Sequence, residues 1–426
     1  MKKIIAPKRA EWLKLTQRPT IESVELSNLV KEVFVSIKKE GDKAVKKYGH
    51  LFDKVDLKTL KVNEGIIYAA SQEVSIELKA AIQLAKQNIE KFHSSQIEES
   101  KVIETTRGVN CWRESRGVEK IGIYIPGGTA PLFSTVLMLG IPAKLAGCKE
   151  IILCTPPNKR GEIDPVILYA ANLVGITSVY SVGGIQAIAA MTYGTESIPK
   201  VDKIFGPGNQ YVTAAKQLAQ NIGVAIDMPA GPSEVLIIAD KTCNPSFVAA
   251  DLLSQAEHGA DSQVILLSDS EQVVDETLLE LVQQLNLLPR KSITKKALKN
   301  SKVIVLKNIK ECIEFSNEYA PEHLILAIDK AKKEIPNIIN AGSVFIGNYS
   351  CESAGDYASG TNHTLPTNGY ARNYSGVSLD SFVKKITFQK LTKEGIKNIG
   401  PAIELMAEAE QLLAHKNAVT LRLKSL

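Results

Sequence analysis

The 426-residue sequence lacks the features that mark several classes of protein. Its six cysteines include no C-x-x-C pair, so neither a disulfide framework nor a cysteine zinc motif is indicated. No apolar run approaches the ~18 residues of a membrane span, and the basic start has no apolar segment typical of a signal peptide. A formal net charge of +5 is too small to favour nucleic acid. We therefore expect a cytoplasmic protein that binds neither membranes nor nucleic acid.

Three short motifs that would identify an enzyme class are also missing. None of the glycine-rich turns completes G-x-G-x-x-G, the fingerprint of dinucleotide-binding folds. Neither H-E-x-x-H nor its inverted form occurs, which removes the commonest zinc motif of peptidases. The stretch Gly231-Pro-Ser233-Glu-Val lacks the closing glycine of a nucleophile elbow, which argues against a serine hydrolase.

The composition, with 44% hydrophobic and 23% charged residues, is that of a globular protein with a sizeable core. The first hundred residues have mostly helical patterns, whereas from residue 119 short β-rich runs alternate with helical segments. This alternation is typical of βαβ units with parallel sheets. The predicted strands are Ile121–Ile125, Glu150–Cys154, Ser178–Val182, Val201–Phe205, Glu234–Ala239, Gln263–Leu267, Lys302–Leu306, His323–Ala327 and Ser343–Ile346.

We predict an α/β fold with two Rossmann-like parallel-sheet domains, a helical N-terminal part and a helical C-terminal extension. Within the extension, Ile403–Ala418 has the pattern of one amphipathic helix. The predicted limits are an N-terminal segment 1–19, a discontinuous first α/β domain 20–123 and 235–377, a second α/β domain 124–234, and the extension 378–426.

The histidines are the most informative residues, because there are only six. His258, His323, His363 and His415 lie in segments dense in Gln, Glu, Asp, Asn and Gly. Imidazole is the commonest metal ligand and acid–base group near neutral pH, so one shared site is indicated, with four unrelated histidines as the alternative. Gln255 lies three residues before His258 on a predicted helix, so both side chains could bind one ion. That spacing alone does not identify a metal site.

Three other segments carry candidate groups. Glu322 and His323 follow a proline and precede an apolar run, so at an irregular junction both could face one cavity and handle protons; an exposed turn is an equally good alternative. Ser353–Pro366, which contains Asp356, is the densest small and polar segment and is typical of a functional loop. Glu410 lies near His415 on the predicted C-terminal helix, where a surface position is the simpler interpretation.

Glycine-rich turns follow three of the predicted strands and precede helices. They are centred on Gly127-Gly128, Gly183-Gly184 and Gly206-Pro-Gly208. Such a turn brings backbone N–H groups and a helix N-terminus close to a phosphate. Each could be a tight turn without a ligand, but three together favour a nucleotide.

Taken together, these segments resemble the histidinol dehydrogenase family along nearly the whole chain. The matching stretches are IPGGTAPLFSTVLMLG, VGGIQAIAA, FGPGN, DMPAGPSEV, DLLSQAEHG, APEHL, SAGDYASGTNHTLPT and AHKNAVTLR. The resemblance implies oxidation of L-histidinol to L-histidine through histidinal, with two NAD and one zinc ion per subunit. It also implies a homodimer in which the C-terminal helical region reaches into the partner's site.

The resemblance also implies roles for individual residues. The implied catalytic acid–base pair is Glu322 and His323. The implied metal ligands are Gln255, His258, Asp356 and His415. The implied substrate contacts are these four residues together with Ser233, His323, His363 and Glu410. The implied NAD contacts are Tyr124, Gln186 and Asn209, which places NAD in the predicted second α/β domain.

Two rival functions would use some of the same residues. A zinc amidohydrolase or peptidase would also need His, Asp and Glu around a metal, but it would not need the glycine-rich turns. A non-catalytic relative that only binds a nucleotide or metabolite would not need the adjacent Glu322 and His323.

Overall fold

The computed structural model describes residues 1–18, 24–127 and 131–426, so Gly128 and the predicted limit at residue 19 lie outside the described residues. The strands are β1 Lys2–Ile5, β2 Ile103–Thr106, β3 Val109–Gly117, β4 Lys120–Tyr124, β5 Glu150–Thr155, β6 Ser178–Ser181, β7 Lys203–Phe205, β8 Ala225–Ile226, β9 Glu234–Ala239, β10 Gln263–Ser268, β11 Lys302–Val305, β12 His323–Ala327, β13 Ser343–Ile346 and β14 Val383–Leu391. The α-helices are α1 Trp12–Leu15, α2 Val24–Glu40, α3 Asp42–Tyr48, α4 Glu64–Ala69, α5 Ile76–Ser94, α6 Phe133–Leu145, α7 Pro165–Leu173, α8 Gly184–Tyr193, α9 Gln210–Asn221, α10 Pro245–Ala256, α11 Glu271–Leu285, α12 Lys291–Lys299, α13 Ile309–Tyr319, α14 Glu352–Tyr357, α15 Lys393–Ala409 and α16 Leu413–Lys424.

Strands β4 to β8 form a five-stranded parallel sheet in the order β6-β5-β4-β7-β8. Helices α6 to α9 connect its successive strands. Its strands are apolar along their length because helices cover both faces; Ile121, Ile123 and Leu153 are fully buried. Each such side chain contributes about 1.5–3 kcal/mol by leaving water. The winding reverses between β4 and β7, and ligands of such sheets bind beyond the carboxyl ends of the strands at that reversal.

A second parallel sheet has six strands in the order β1-β11-β10-β9-β12-β13. From β9 to β13 it winds in the same way as the five-stranded sheet, with its reversal between β9 and β12. The strand β1 adds an edge by pairing with β11, so the start of the chain is part of this sheet. The two predicted parallel sheets are confirmed, and their common winding is a finding that the sequence pattern did not reveal.

The helices of the first hundred residues pack on the helices of the five-stranded sheet. Helix α2 contacts α8 and α9, and α5 contacts α6. At the start of α5, the Ser75 hydroxyl accepts a hydrogen bond from the N–H of Leu78 at 3.2 Å and caps the helix. The domain limits given above stay a prediction.

The C-terminal extension is helical from Lys393 on, but its first part is the strand β14, which the sequence pattern did not predict. Strand β14 pairs antiparallel with β3, which also pairs with β2, in a separate three-stranded sheet. The prediction of one helix over Ile403–Ala418 is wrong, because α15 ends at Ala409 and α16 begins at Leu413, with Gln411 at φ 59° between them. Among the helices that the structure describes, none is both long and apolar enough to span a bilayer.

Candidate active site and metal centre

Glu322 and His323 lie where the chain enters β12 from the end of α13. The preceding Ala320 has φ 53°, in the left-handed region, and Pro321 follows it. This turn buries both side chains, leaving Glu322 6% and His323 3% exposed. The alternative of an exposed turn is therefore wrong. The pair lies at the amino end of the sheet, opposite the carboxyl ends where ligands of α/β sheets usually bind.

Main-chain groups of Glu234, the first residue of β9, hold both members of the pair. The N–H of Glu234 donates to Oε2 of Glu322 at 2.7 Å. Its C=O can only accept, so Nδ1 of His323 at 3.2 Å carries the proton of that hydrogen bond. This contact commits Nδ1 to the main chain, so Nε2, 3.7 Å from Oδ1 of Asp356, is the ring nitrogen that can exchange a proton.

The surroundings of Glu322 and His323 shift the pKa values of both side chains. Burial raises the pKa of the Glu322 carboxyl, and the neighbouring imidazole lowers it in part. Burial alone would lower the pKa of His323, but the Glu322 carboxylate and Asp356 outweigh it and raise that pKa well above its ordinary value. Shifts of this kind, from burial together with a specific charged neighbour, are typical of groups that transfer protons.

Beside the pair is a cluster able to bind a cation, formed by His258, Glu352 and Asp356 and called the metal-site cluster below. Ligand atoms of His258, Glu352 and Asp356 all lie within 4.8 Å of one another. His258 follows the end of α10, whereas Glu352 and Asp356 are four residues apart on one face of α14. Burial raises the pKa of Glu352 well above its ordinary value. For Asp356 burial acts in the same direction, but hydrogen bonding to His323 and nearby imidazoles outweigh it and lower the pKa.

The buried amide of Gln255 reaches this cluster from the last turn of α10. Its terminal group meets Oε1 of Glu352 at 2.5 Å. The amide nitrogen donates to this carboxylate, and the amide oxygen accepts from the N–H of Glu234 at 3.1 Å. One imidazole with two carboxylates suits zinc or a similar divalent ion, so the residues of the cluster fit a metal.

His363 and Ser233 border the same region. Nδ1 of His363 donates to the C=O of Asp356 at 2.9 Å, so its Nε2 accepts from the Thr135 hydroxyl at 3.0 Å. Thr135 lies in the first turn of α6, which follows β4. This contact therefore connects the five-stranded sheet with the region of the metal-site cluster. Ser233 is half-buried directly before Glu234.

A cleft of about 810 Å³ opens beyond the carboxyl ends of β4 and β7. Tyr124 and Asn209 line it; the Tyr124 hydroxyl accepts from the N–H of Gly184 at 3.1 Å, and the Asn209 side chain caps α9. Gly206 has φ 125°, and a Cβ there would lie 2.1 Å from the carbonyl oxygen of Tyr124, so only glycine fits. This is the place at which a doubly wound sheet binds a nucleotide.

Gln186 lies just behind the wall of this cleft, in the first turn of α8. Its side chain is fully buried, and its Nε2 donates to Oδ2 of Asp53, a lining residue, at 3.1 Å. Burial raises the pKa of Asp53. In the described part of the chain, Oε1 of Gln186 has no hydrogen-bond partner. A buried acceptor left free beside a glycine-lined cleft fits a nucleotide.

Comparisons with known proteins agree with this geometry. A family model described as histidinol dehydrogenase matches residues 16–423. The chain is 58% identical over 426 residues to a histidinol dehydrogenase of Bacteroides fragilis, covering 100% of both chains. The crystal structure of histidinol dehydrogenase from Elizabethkingia anophelis is 67% identical, has a TM-score of 0.98, and matches 100% of this chain and 98% of that one. The chain belongs to the histidinol dehydrogenase family.

Membership of the histidinol dehydrogenase family makes the chain an oxidoreductase of histidine biosynthesis. A more distant likeness shows the fold alone: an acetylating aldehyde dehydrogenase from Geobacillus thermoglucosidasius has a TM-score of 0.50 at 15% identity. The structure brings together Gln255, His258 and Asp356, which the resemblance to histidinol dehydrogenases implies as metal ligands, beside Glu322 and His323.

Two predicted site residues of the histidinol dehydrogenase pattern, His415 and Glu410, lie elsewhere. Glu410 directly follows α15, His415 is on α16, and both are exposed. Within the described ranges neither forms a hydrogen bond or ion pair with the metal-site cluster. A single subunit therefore does not unite them with the rest of the site.

Glu352 is a site residue that the sequence analysis missed. It lies four residues before Asp356, and that spacing on a short helix was the available sign. Its side chain is 1% exposed and holds the Gln255 amide. We expect Glu352→Gln to weaken zinc binding by ~10–100-fold, because groups that orient metal ligands have effects of this size. Competition with a zinc chelator measures the change, with the exposed Glu276→Gln as control; equal zinc affinity in both variants would contradict this role.

Proposed function

We propose that the chain catalyses the four-electron oxidation of L-histidinol to L-histidine through L-histidinal, using two molecules of NAD and one zinc ion per subunit. The observation that carries this proposal is the clustering of His258, Glu352 and Asp356, with Gln255 against Glu352, beside the buried Glu322 and His323. Family membership supports the same reaction.

Gln255, His258 and Asp356 would hold the zinc ion, together with His415 of a second subunit. When bound, zinc supplies a template that orients the imidazole and amino nitrogens of histidinol. Ser233, His363 and Glu410 would complete the substrate contacts. The C=O of Asp356 holds Nδ1 of His363, so Nε2, now 3.0 Å from the Thr135 hydroxyl, is the atom that would contact the substrate.

His323 would act as the base in both oxidations. Because Nδ1 donates to the main chain of Glu234, Nε2 of the neutral ring would be the atom that takes the hydroxyl proton of histidinol. Glu322 would take a proton from the water that adds to the aldehyde, and His323 would then deprotonate the resulting hydrate. Both side chains are buried, so the aldehyde is held away from bulk water between the two steps.

The cleft beyond β4 and β7 would bind the dinucleotide through Tyr124 and Asn209, which line it, and through Gln186, which contacts the lining residue Asp53. NAD, when bound, accepts the hydride in each of the two oxidations. The contact between Thr135 and His363 supports this arrangement, because Thr135 lies in the first turn of α6, four residues after Pro131, which lines the cleft. The six free thiols of the chain support a cytoplasmic location.

The proposed function is tested by mixing protein, zinc, histidinol and NAD and recording the absorbance. We expect the near-ultraviolet absorbance of NADH to rise, with two NADH formed for each histidinol consumed. A zinc hydrolase or a non-catalytic binding protein would produce no NADH, so a flat absorbance in the presence of bound zinc would refute the proposal.

We also propose a homodimer with shared sites, in which α15 and α16 carry Glu410 and His415 to the partner. The two helices pack on each other, and Thr420 donates to Glu404 between them. Several of their apolar side chains remain exposed in the single chain, namely Leu405, Met406, Leu413 and Leu421. An apolar surface of this kind is typical of a protein interface.

Mixed dimers test this sharing. In a dimer of one His258→Ala chain and one His415→Ala chain, both lesions fall in one site and the other site is intact. We therefore expect each homodimer to be inactive and the heterodimer to regain activity, measured as NADH formation by tagged and purified heterodimers. An inactive heterodimer of verified composition would show that the sites are not shared.

A further inference from the structure

The residue that holds the catalytic pair, Glu234, is itself held by a part of the chain far away in sequence. Its main chain contacts Glu322 and His323, as described above. Its side chain points to the other side and is only 2% exposed. A buried carboxylate needs charged or hydrogen-bonding partners, and the structure supplies them.

Arg18 is the main partner of this carboxylate. Its Nε and Nη2 donate to the two oxygens of Glu234 at 2.8 and 3.0 Å, a two-point contact that fixes the orientation of both groups. The N–H of Asn368 adds a third hydrogen bond at 3.0 Å. The position of Glu234 is therefore set from outside the sheet as well as by strand pairing.

The same guanidinium also binds the main chain just before Glu322. Nη2 of Arg18 donates to the C=O of Tyr319 at 2.7 Å and to that of Ala320 at 3.3 Å. Its Cζ lies over the Tyr319 ring, 3.7 Å from the ring centre. Ala320 has the left-handed backbone conformation that turns the chain into β12, a conformation that a residue other than glycine keeps only when its surroundings hold it.

Arg18 thus contacts both the start of β9, at Glu234, and the turn that leads into β12. The relative position of these two segments sets the distance between the Glu234 N–H and the Glu322 carboxylate. We infer that Arg18 is a positioning residue for catalysis: it fixes Glu234 and the turn at Ala320 so that the Glu322 carboxylate and the His323 imidazole keep their working geometry. The inference rests on the proposed roles of Glu322 and His323. Lysine cannot replace arginine here, because an ammonium group cannot make the planar two-point contact.

The experiment compares Arg18→Lys and Arg18→Met with matched changes at Arg9. Arg9 anchors the same N-terminal segment, through Glu314, Glu318 and the ring of Trp12, but it does not contact Glu234. We expect both Arg18 variants to lose kcat by ~10–100-fold, since small displacements of catalytic groups have effects of this size. KM for histidinol and bound zinc should stay within about twofold, and the Arg9 variants should retain kcat.

A double-mutant cycle separates positioning from a general loss of structure. In a Glu322→Gln background, Arg18→Met should reduce the rate of the aldehyde half-reaction less than in the natural chain, because one of the two groups it positions has already lost its function. An equal fold-loss in both backgrounds would overturn the inference, as would a kcat loss that only follows the fraction of unfolded protein.

A crystal structure of Arg18→Met gives an answer that does not depend on activity. We expect the contact between Glu234 N and Glu322 Oε2, 2.7 Å in the natural chain, to lengthen or break. An unmoved contact would overturn the inference even if the chain oxidises histidinol, whereas failure of the natural chain to form NADH would refute the proposed function and leave this distance as the test of Arg18.

Discussion

Replacing His258 with alanine is expected to remove the bound metal and with it nearly all oxidation of histidinol. His258 supplies the one imidazole of the three-residue cluster, and its partners there are carboxylates. Loss of a ligand should exceed the ~10–100-fold effect of losing a group that only orients a ligand. Elemental analysis of the purified variant measures the zinc content, and NADH formation measures the activity.

The control for this variant is His50→Ala. His50 is exposed and pairs with Asp56 at 2.9 Å, away from the metal-site cluster. It should retain both zinc and activity. Stoichiometric zinc in the His258→Ala protein would remove this residue from the set of ligands.

Replacing Glu322 with glutamine is expected to slow the aldehyde-to-acid step much more than the alcohol oxidation. Only the second step needs an activated water, and the amide cannot accept its proton. General base catalysis contributes ~10²–10⁴-fold, so we expect a loss in this range for the aldehyde step. The amide oxygen can still accept the hydrogen bond from the N–H of Glu234, so the fold at this point should be kept.

Supplying histidinal directly isolates the second half of the reaction for this comparison. His323→Gln serves as the matched variant. The His323 imidazole is proposed to act in both halves of the reaction, so its loss should slow both of them. Equal losses in the two halves for Glu322→Gln would refute the separate role of its carboxylate.

The regular part of the fold was predictable because both large sheets are parallel and buried on both faces. Strands of this kind are apolar runs bounded by turns, and β9 and β12 begin at Glu234 and His323, where the sequence pattern places them. The resemblance likewise names residues that the structure brings together, including Gln255 and Asp356.

Other features depend on contacts that a residue pattern does not encode. Strand β14 is half-exposed and rich in lysine, so its alternation is hard to distinguish from a surface helix; its partner β3 lies far away in sequence. The break at Gln411 has neither glycine nor proline to mark it. Glu234 acts on the catalytic pair through its main chain, which every residue type possesses, and only the three-dimensional arrangement reveals it.

The pairing of β1 with β11 constrains how the chain folds during its synthesis. Lys2 pairs with Lys302, so the first strand waits for about 300 further residues before its partner exists. At ~5–20 residues per second, that delay on the ribosome is ~15–60 s. Arg18 and Tyr319 are likewise 301 residues apart, so the contacts that position the catalytic pair form only after most of the chain has been made.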